Sequence, residues 1–526
     1  MARPVQTVPD DQYGRRGIAI RGGQSLALAT LCTLLFLTFL DNTVVSVALG
    51  TIYSNLGASP TELQWVVGAY ALTFASLMLA CGMIGDELGR KKIMMAGAAT
   101  FCAGSVMCAV APNVQVLIAG RAVMGLGAAA SEPGTLSMLR HLYPDAKARS
   151  RAIGIWAATS GFALAMGPIV GGILIGIWNW RGIFWFNLAF GLAALVVAAV
   201  ILPESADPTA ARVDTAGTLL GAGTLATLVF AIIDSESAGF GAAGVIALLC
   251  ASVVLLAAFV WRERRAEHPL LDLRFLRLPQ FTTSNIVAFC TYFATFAVFF
   301  FTALYLVIVV SLSGFRLALV FLPMTVLMIA ASVLAGRWTD IVGPRWSITI
   351  GCVLMAVGLF LAQGYISPHP SYGPLIVALA LTGIGIGTTV VPITSSVLSA
   401  VPAERSGMAA SAANTSREIG AVTGVAILGS LMFSQLFNSL TTQMNHLHVP
   451  AVYRGFVFAA IETGNFSVPP HLSAGLEKIL QELTGVAYTA FHSGLRAALW
   501  LSAGLTLAAA LLTLITMRSR SADAVP

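Results

Sequence analysis

Runs of about 20 mainly apolar residues, separated by short polar turns, recur along the whole chain. Fourteen lie near 26–49, 64–84, 92–111, 114–138, 152–176, 182–202, 215–234, 241–261, 284–310, 317–335, 346–366, 374–399, 407–433 and 495–517. A helix of that length crosses the hydrocarbon core of a bilayer. The pattern therefore predicts an all-α integral membrane protein with fourteen transmembrane helices. A membrane β-barrel would show alternation over segments of about 10 residues, and these runs do not alternate. One stretch breaks the rhythm. Residues 434–494 are rich in polar residues, Pro and His, and read as a long outer loop.

Composition sharpens this. Of 526 residues, 57% are apolar and 10% are charged, where soluble domains carry about 25% charged. Mean hydropathy is +0.85. A water-soluble globule is excluded, as is a disordered chain, which needs low hydrophobicity and high charge. Seven cysteines all fall inside apolar runs without metal-ligand spacing, and read as small buried hydrophobes. The polar, basic first 25 residues do not resemble a removable signal peptide.

The net charge of +6 reflects topology, not nucleic acid. With the N-terminus inside, 22 Lys and Arg fall in inner segments, five in outer segments and two, Arg121 and Arg417, within spans. Positive residues collect on the cytoplasmic side, so both termini are expected in the cytoplasm.

Two inner loops match. Gly82-Met-Ile-Gly-Asp86-Glu-Leu-Gly89-Arg90-Lys91 and Gly336-Arg-Trp-Thr-Asp340-Ile-Val-Gly343-Pro344-Arg345 share Gly, Asp, Gly and a basic residue at one offset of 254. Such a repeat marks a chain of two parallel halves, a common transporter plan. The first copy follows span 2 and the second follows span 10, so two extra spans sit between six-helix halves. The divisions read as a cytoplasmic tail over 1–25 and a first half over 26–202. Inserted spans with linkers occupy 203–278, the second half with its outer loop 279–517, and a cytoplasmic tail 518–526.

The loop Gly82–Lys92 resembles the motif between spans 2 and 3 of the major facilitator superfamily. Three more stretches resemble its fourteen-span drug:proton antiporters. They are Leu40-Asp41-Asn42-Thr43-Val44-Val45-Ser46-Val47-Ala48-Leu49 in span 1, Arg121-Ala-Val-Met-Gly125-Leu-Gly127 in span 4, and Gly161 with Gly167-Pro168-Ile-Val-Gly171-Gly172 in span 5. Two positions depart from the pattern: Gly50 stands where the motif has Pro, and Glu132 precedes Pro133 in place of a neutral residue. The resemblance implies the major facilitator fold, with Gly82, Asp86, Gly89, Arg90, Gly161, Gly167, Pro168, Gly171, Gly336, Asp340 and Gly343 serving conformational change.

Charges inside spans are costly, ~2.5–3.5 kcal/mol each on insertion scales, and usually face a cavity or a partner. Asp41 and Arg121 lie level, roughly 10–12 Å below the outer surface at 1.5 Å per residue, and can pair. They read either as a static ion pair or as a site of proton or substrate coupling. Glu132 follows Arg121 by eleven residues, three turns plus ~20°, and so faces the same way. It either lines the same cavity or snorkels at the inner end. Arg417 and Glu418 lie mid-span, pointing ~100° apart, and at least one is expected to face the cavity from the second half. Gly167 and Gly171 form a small-residue stripe suited to close packing against a helix of the other half. The aromatics of span 9, among them Tyr292, Phe293 and Phe296, suit a greasy site or a lipid face. His446, His448, His471 and His492 are spaced too loosely for a metal. No phosphate-binding G-x-x-x-x-G-K-[ST] occurs, and no cofactor or catalytic set is expected.

The reading is a proton-coupled antiporter, working as a monomer in a plasma membrane of bacterial type. It exports hydrophobic, cationic drugs or toxic small molecules. The alternatives are an exporter of a lipid or one specific natural product, and a non-transporting membrane sensor.

Overall fold

The structure, a computed structural model, describes residues 21–517 apart from 59, 206–213, 267–268, 311, 313, 368–370, 403–405 and 448–473. All of its regular elements are helices. The first eight are α1 (Arg21–Leu56), α2 (Pro60–Leu88), α3 (Arg90–Ala109), α4 (Val114–Leu142), α5 (Ala146–Ile177), α6 (Arg181–Ile201), α7 (Thr215–Ala238) and α8 (Ala243–Arg265). After a 3-10 turn at Phe275–Arg277 come α9 (Pro279–Ala297), a π segment (Val298–Thr302) and α10 (Ala303–Ile308), which form one rod. The chain continues through α11 (Gly314–Val342), α12 (Pro344–Tyr365), α13 (Tyr372–Ser399), α14 (Ser406–His446) and α15 (Ala474–Thr516).

Apolar runs long enough to satisfy every backbone group internally become helices in a bilayer. Polar residues set the ends. Asn113 accepts the Val116 N–H at 2.9 Å at the start of α4, and Asp145 accepts the Ala148 N–H at 2.8 Å at the start of α5. Among the described residues, twelve helices are long and apolar enough to cross a membrane. The bent α2, with a 51° break, makes thirteen. This is a multi-pass membrane protein, but the count falls short of the fourteen expected. α5, a 32-residue helix held within the bundle against α1 and α11, is not among the thirteen.

The segment 434–494 also differs from expectation. Its described ends are helical: α14 runs on to His446, and α15 begins at Ala474. A polar stretch with few breakers continues a helix that an apolar run has started. His448 and His471 lie outside the described residues. His492 sits on α15, with Nε2 2.6 Å from the Ile366 carbonyl.

Helices α1–α6 pack as one bundle and α9–α15 as another. The two bundles repeat at residue level. A methyl group on Gly97 of α3 would lie 2.6 Å from the Gly127 carbonyl of α4, and one on Gly351 of α12 would lie 3.0 Å from the Gly385 carbonyl of α13. Gly104 and Gly358 repeat the contact two turns on, 2.9 Å from Gly120 O and 2.8 Å from Ala378 O. Only glycine permits backbones to approach this closely. The offset from Gly97 to Gly351 is again 254.

The bundles meet along two seams, α2 with α14 and α5 with α11. The hairpin α7–α8 lies beside the first seam, where α7 packs on α2 and α14 and the Trp65 and Phe230 rings meet at a tilt of 48°, centroids 4.9 Å apart. Arg262 and Asp214 close the hairpin at 3.0 Å. Burial opposes the charged form of Asp214. Hydrogen bonds from Arg262 and from the Gly217 N–H outweigh it and hold the carboxyl below the usual carboxylate range. Five cysteines are buried, but Cys250 of α8 is exposed, on a helix whose Val253 and Val254 are also exposed.

Candidate functional site

Asp41 of α1 and Arg121 of α4 meet as a fully buried ion pair between Arg121 Nη1 and Asp41 Oδ2. Four helices shape it. Asn187 of α6 donates from Nδ2 to Asp41 Oδ1 at 2.6 Å. Arg121 Nε donates to the Val66 carbonyl of α2 at 2.9 Å. The guanidinium lies 4.4 Å from the centroid of the Tyr70 ring, and Tyr70 Oη donates to the Thr38 carbonyl at 2.9 Å. A charge far from water survives only when paired and hydrogen-bonded. The level placement read from the sequence brings the two charges together. Asn187 went unnoticed, although a lone amide in the apolar run Phe184–Phe190 was a usable signal.

A second buried set lies toward the other half. Arg417 of α14 donates from Nη1 to Asn414 Oδ1 at 3.0 Å and from Nη2 to Thr394 Oγ1 of α13. Its guanidinium lies 5.5 Å from the Tyr292 ring centroid. Both arginines thus sit over a tyrosine, but Arg417 has neutral hydrogen-bond partners. Glu418 of α14 and Glu132 of α4 are each 1% exposed. Glu132 is therefore no snorkelling end residue. Neither of its carboxylate oxygens has a hydrogen-bond partner among the described residues, and Glu418 Oε2 has none. Glu132 lies within electrostatic reach of Glu418 and Arg417. The two halves thus bring two carboxylates and a guanidinium to one buried centre.

Beside these charges, a narrow cavity opens on the α2–α14 seam. It is lined by Asn42 of α1, Val67 and Ala71 of α2, Phe296 of α9, and Val422 and Val425 of α14. Of the three aromatics expected to line a cavity, Phe296 lines this one. Tyr292 is buried against Arg417, and the backbone of Phe293 backs onto Gly424 of α14.

The glycine stripe of α5 packs differently from the expectation. A methyl on Gly167 would collide with the Thr43 side chain and lie 2.8 Å from the Val44 nitrogen, and one on Gly171 would lie 2.9 Å from the Val44 carbonyl. These contacts are with α1 of the same half. The seam to the other half is made by Gly161, whose added methyl would lie 3.4 Å from Met328 of α11. Pro168 lies in α5, its side chain outside the described residues. α14 repeats the stripe: Gly420 and Gly424 press on the backbones of Phe289 and Phe293 of α9.

The two inner loops also differ. Gly89 and Gly343 both take positive φ, +114° and +83°, a turn that glycine allows. Lys91 Nζ donates to the Ala199 carbonyl at 2.7 Å, ending α6, as Arg345 donates to the Leu514 carbonyl at 2.7 Å, ending α15. In the first copy Arg90 pairs with Asp86 at 2.7 Å and binds Ser205 Oγ at 3.2 Å. In the second, Pro344 replaces Arg90, and the exposed Asp340 has no ion-pair partner among the described residues. Gly82 faces Ser411 of α14 across the seam, its added methyl 2.7 Å from Ser411 Oγ. Gly336 lies near Val391 of α13, 3.9 Å away by the same measure.

Comparison with known proteins agrees with this architecture. The chain is 34% identical over 428 residues to the multidrug resistance protein Stp of Mycobacterium tuberculosis, covering 81% of this chain and 79% of that one. It is 32% identical over 496 residues to the multidrug efflux pump LfrA of Mycolicibacterium smegmatis, covering 94% and 96%. With the tetracenomycin C resistance and export protein of Streptomyces glaucescens it shares 27% over 508 residues, covering 96% and 94%. In fold it is similar to a bacterial homologue of the human lysosomal transporter Spinster, with a TM-score of 0.61 at 17% identity over 94% of this chain and 97% of that one. The family model of the Major Facilitator Superfamily matches residues 31–425. With that match and two packed bundles around a buried charged centre, the chain belongs to the major facilitator superfamily of transporters.

Proposed function

We propose that this protein is a proton-coupled antiporter. It exports hydrophobic, cationic drugs or toxic small molecules across the plasma membrane, as a monomer with both termini in the cytoplasm. The observation that carries the reading is the fully buried Asp41–Arg121 pair, held by Asn187 beside a cavity between the halves. The resistance and efflux relatives support the substrate class.

The geometry suggests how coupling works. Asp41 charged and paired with Arg121 is one state. A proton on Asp41 removes the attraction and leaves Arg121 to its carbonyl and aromatic contacts. Each protonation state therefore favours its own arrangement of α1 against α4, and the halves rock about the cavity. Inward proton movement supplies ~2.3 kcal/mol per charge per 100 mV, plus the pH difference. Glu132 and Glu418 offer the substrate's positive charge a buried counter-charge.

The test is dye efflux from energised vesicles with an imposed pH gradient. Export should follow the gradient and stop when a protonophore collapses it. Efflux indifferent to the gradient overturns the coupling. A second reading, an exporter of one natural product, is favoured by relatives named for single antibiotics, tetracenomycin C and methylenomycin A. A panel of unrelated dyes and antibiotics separates the two: export of a single chemotype supports the second.

A further inference from the structure

We propose that Asn42 is a specificity-determining residue. The seam cavity it lines would be a substrate subsite for an apolar end that carries one hydrogen-bond acceptor, such as a ring carbonyl. The proposal rests on the export reading above and names the chemistry that the export site selects.

Asn42 is 6% exposed, and its Nδ2 has no hydrogen-bond partner among the described residues. A buried amide donor left unpaired is costly, and native structures seldom keep one without use. Asn42 lines the cavity, and every other lining residue is apolar, with Phe296 supplying an aromatic face. The lining comes from both halves, α1 and α2 on one side and α9 and α14 on the other, so an occupant touches both. Ala71 on α2 and Ala426 on α14 keep the lining side chains small, so that opening of the seam would widen the cavity.

Helix geometry explains why adjacent residues do different work. Asp41 and Asn42 point ~100° apart on α1. Asp41 turns inward to Arg121 and Asn187, and Asn42 turns to the seam. The charge of a substrate falls to the carboxylates, and its neutral end falls to Asn42. A pocket built to satisfy a donor rejects an isostere lacking the acceptor far more strongly than an apolar pocket discriminates by shape.

Two lipophilic cations of matched shape test this: (4-acetylphenyl)triphenylphosphonium, which carries a carbonyl, and (4-isopropenylphenyl)triphenylphosphonium, which replaces it with a methylene. Binding to purified protein in nanodiscs and gradient-driven efflux from vesicles are measured for both. The parent should prefer the acetyl probe by about tenfold, the scale of one net hydrogen bond between neutral groups. Asn42→Leu should bring the two probes within about twofold of each other by weakening only the acetyl probe. Asn42→Ser, smaller and still a donor, should keep part of the preference, and it decides the matter if the leucine variant fails to assemble. A parent that binds both probes alike, or an Asn42→Leu that weakens both equally, overturns the proposal. Preferential binding without gradient-driven efflux would sink the export reading and leave the subsite standing. Binding of neither probe sinks the subsite.

Discussion

In the N-terminal half the buried carboxylate Asp41 has both oxygens occupied, one by Arg121 and one by Asn187. At the centre shared with the C-terminal half, Arg417 leans on neutral oxygens, while both oxygens of Glu132 and one of Glu418 are left without partners. The helix pairs α3–α4 and α12–α13 repeat their close backbone contacts, and the contrast between the two charged sites lies in their side chains. A saturated pair resists change until a proton breaks it. An unsaturated carboxylate is ready for a proton or a cation. On the mechanism proposed above, the first set would serve coupling and the second would receive substrate charge.

Asp41→Asn attacks the contrast most directly. The amide keeps the shape but leaves Arg121 uncompensated, and breaking a buried pair costs about 3–5 kcal/mol. Efflux against an imposed pH gradient should fall by about a hundredfold or more, with binding of substrate retained. Asp41→Glu should keep part of the activity, because a titratable group remains. Asp41→Asn transporting as well as the parent would reduce the pair to a structural contact and pass coupling to Glu132 or Glu418.

The glycine stripes ask whether the frame itself is shared. Gly167→Leu and Gly420→Leu should each abolish efflux while protein remains in the membrane, because each drives a side chain into a neighbouring helix backbone, a strain of about 1–3 kcal/mol or more. Gly161→Ala meets only the flexible Met328 at 3.4 Å and should leave efflux within about twofold of the parent, being ordinary contact. Immunoblots of membranes alongside dye efflux check this. Normal efflux from Gly420→Leu would show that the C-terminal copy of the stripe carries no function.

Glu132→Gln and Glu418→Gln probe the unsaturated set. Each should lower the apparent affinity for cationic dyes about tenfold or more, the scale of one hydrogen bond to a charged group. Neutral substrates should be moved normally. Efflux assayed at several dye concentrations separates the affinity change from a fall in maximal rate. A fall in rate alone, equal for charged and neutral compounds, would move these carboxylates to the coupling side.

The smallest effect is expected at the loops. Asp86→Asn removes an ion pair worth a few tenths of a kcal/mol and should slow efflux by about twofold. Asp340→Asn, with no such pair to lose, should match the parent. Equal losses from the two variants would mean that both aspartates act through contacts the two loops share, not through Arg90.

Much of this was legible beforehand. Long apolar runs cannot leave backbone groups unpaired in lipid, so their helical state follows from composition alone. An aspartate and an arginine within such runs are too costly to stand alone, and their level positions on α1 and α4 foretold the pair. The offset of 254 that links Gly82 to Gly336 also links Gly97 to Gly351, so the repeat could have been followed further. Tertiary structure alone decided which neighbours each face meets. The stripe of Gly167 and Gly171 packs on α1, not across the seam. Glu132 is sealed between halves, not exposed at an end. Asn187 completes the Asp41 site from 146 residues away. The helical extension of α14 past residue 434 was likewise visible only in the structure. The physical reason is the same in each case. Periodicity fixes the direction of a side chain around its own helix axis, but the rotation and crossing of that helix against another are settled only when all of them pack together.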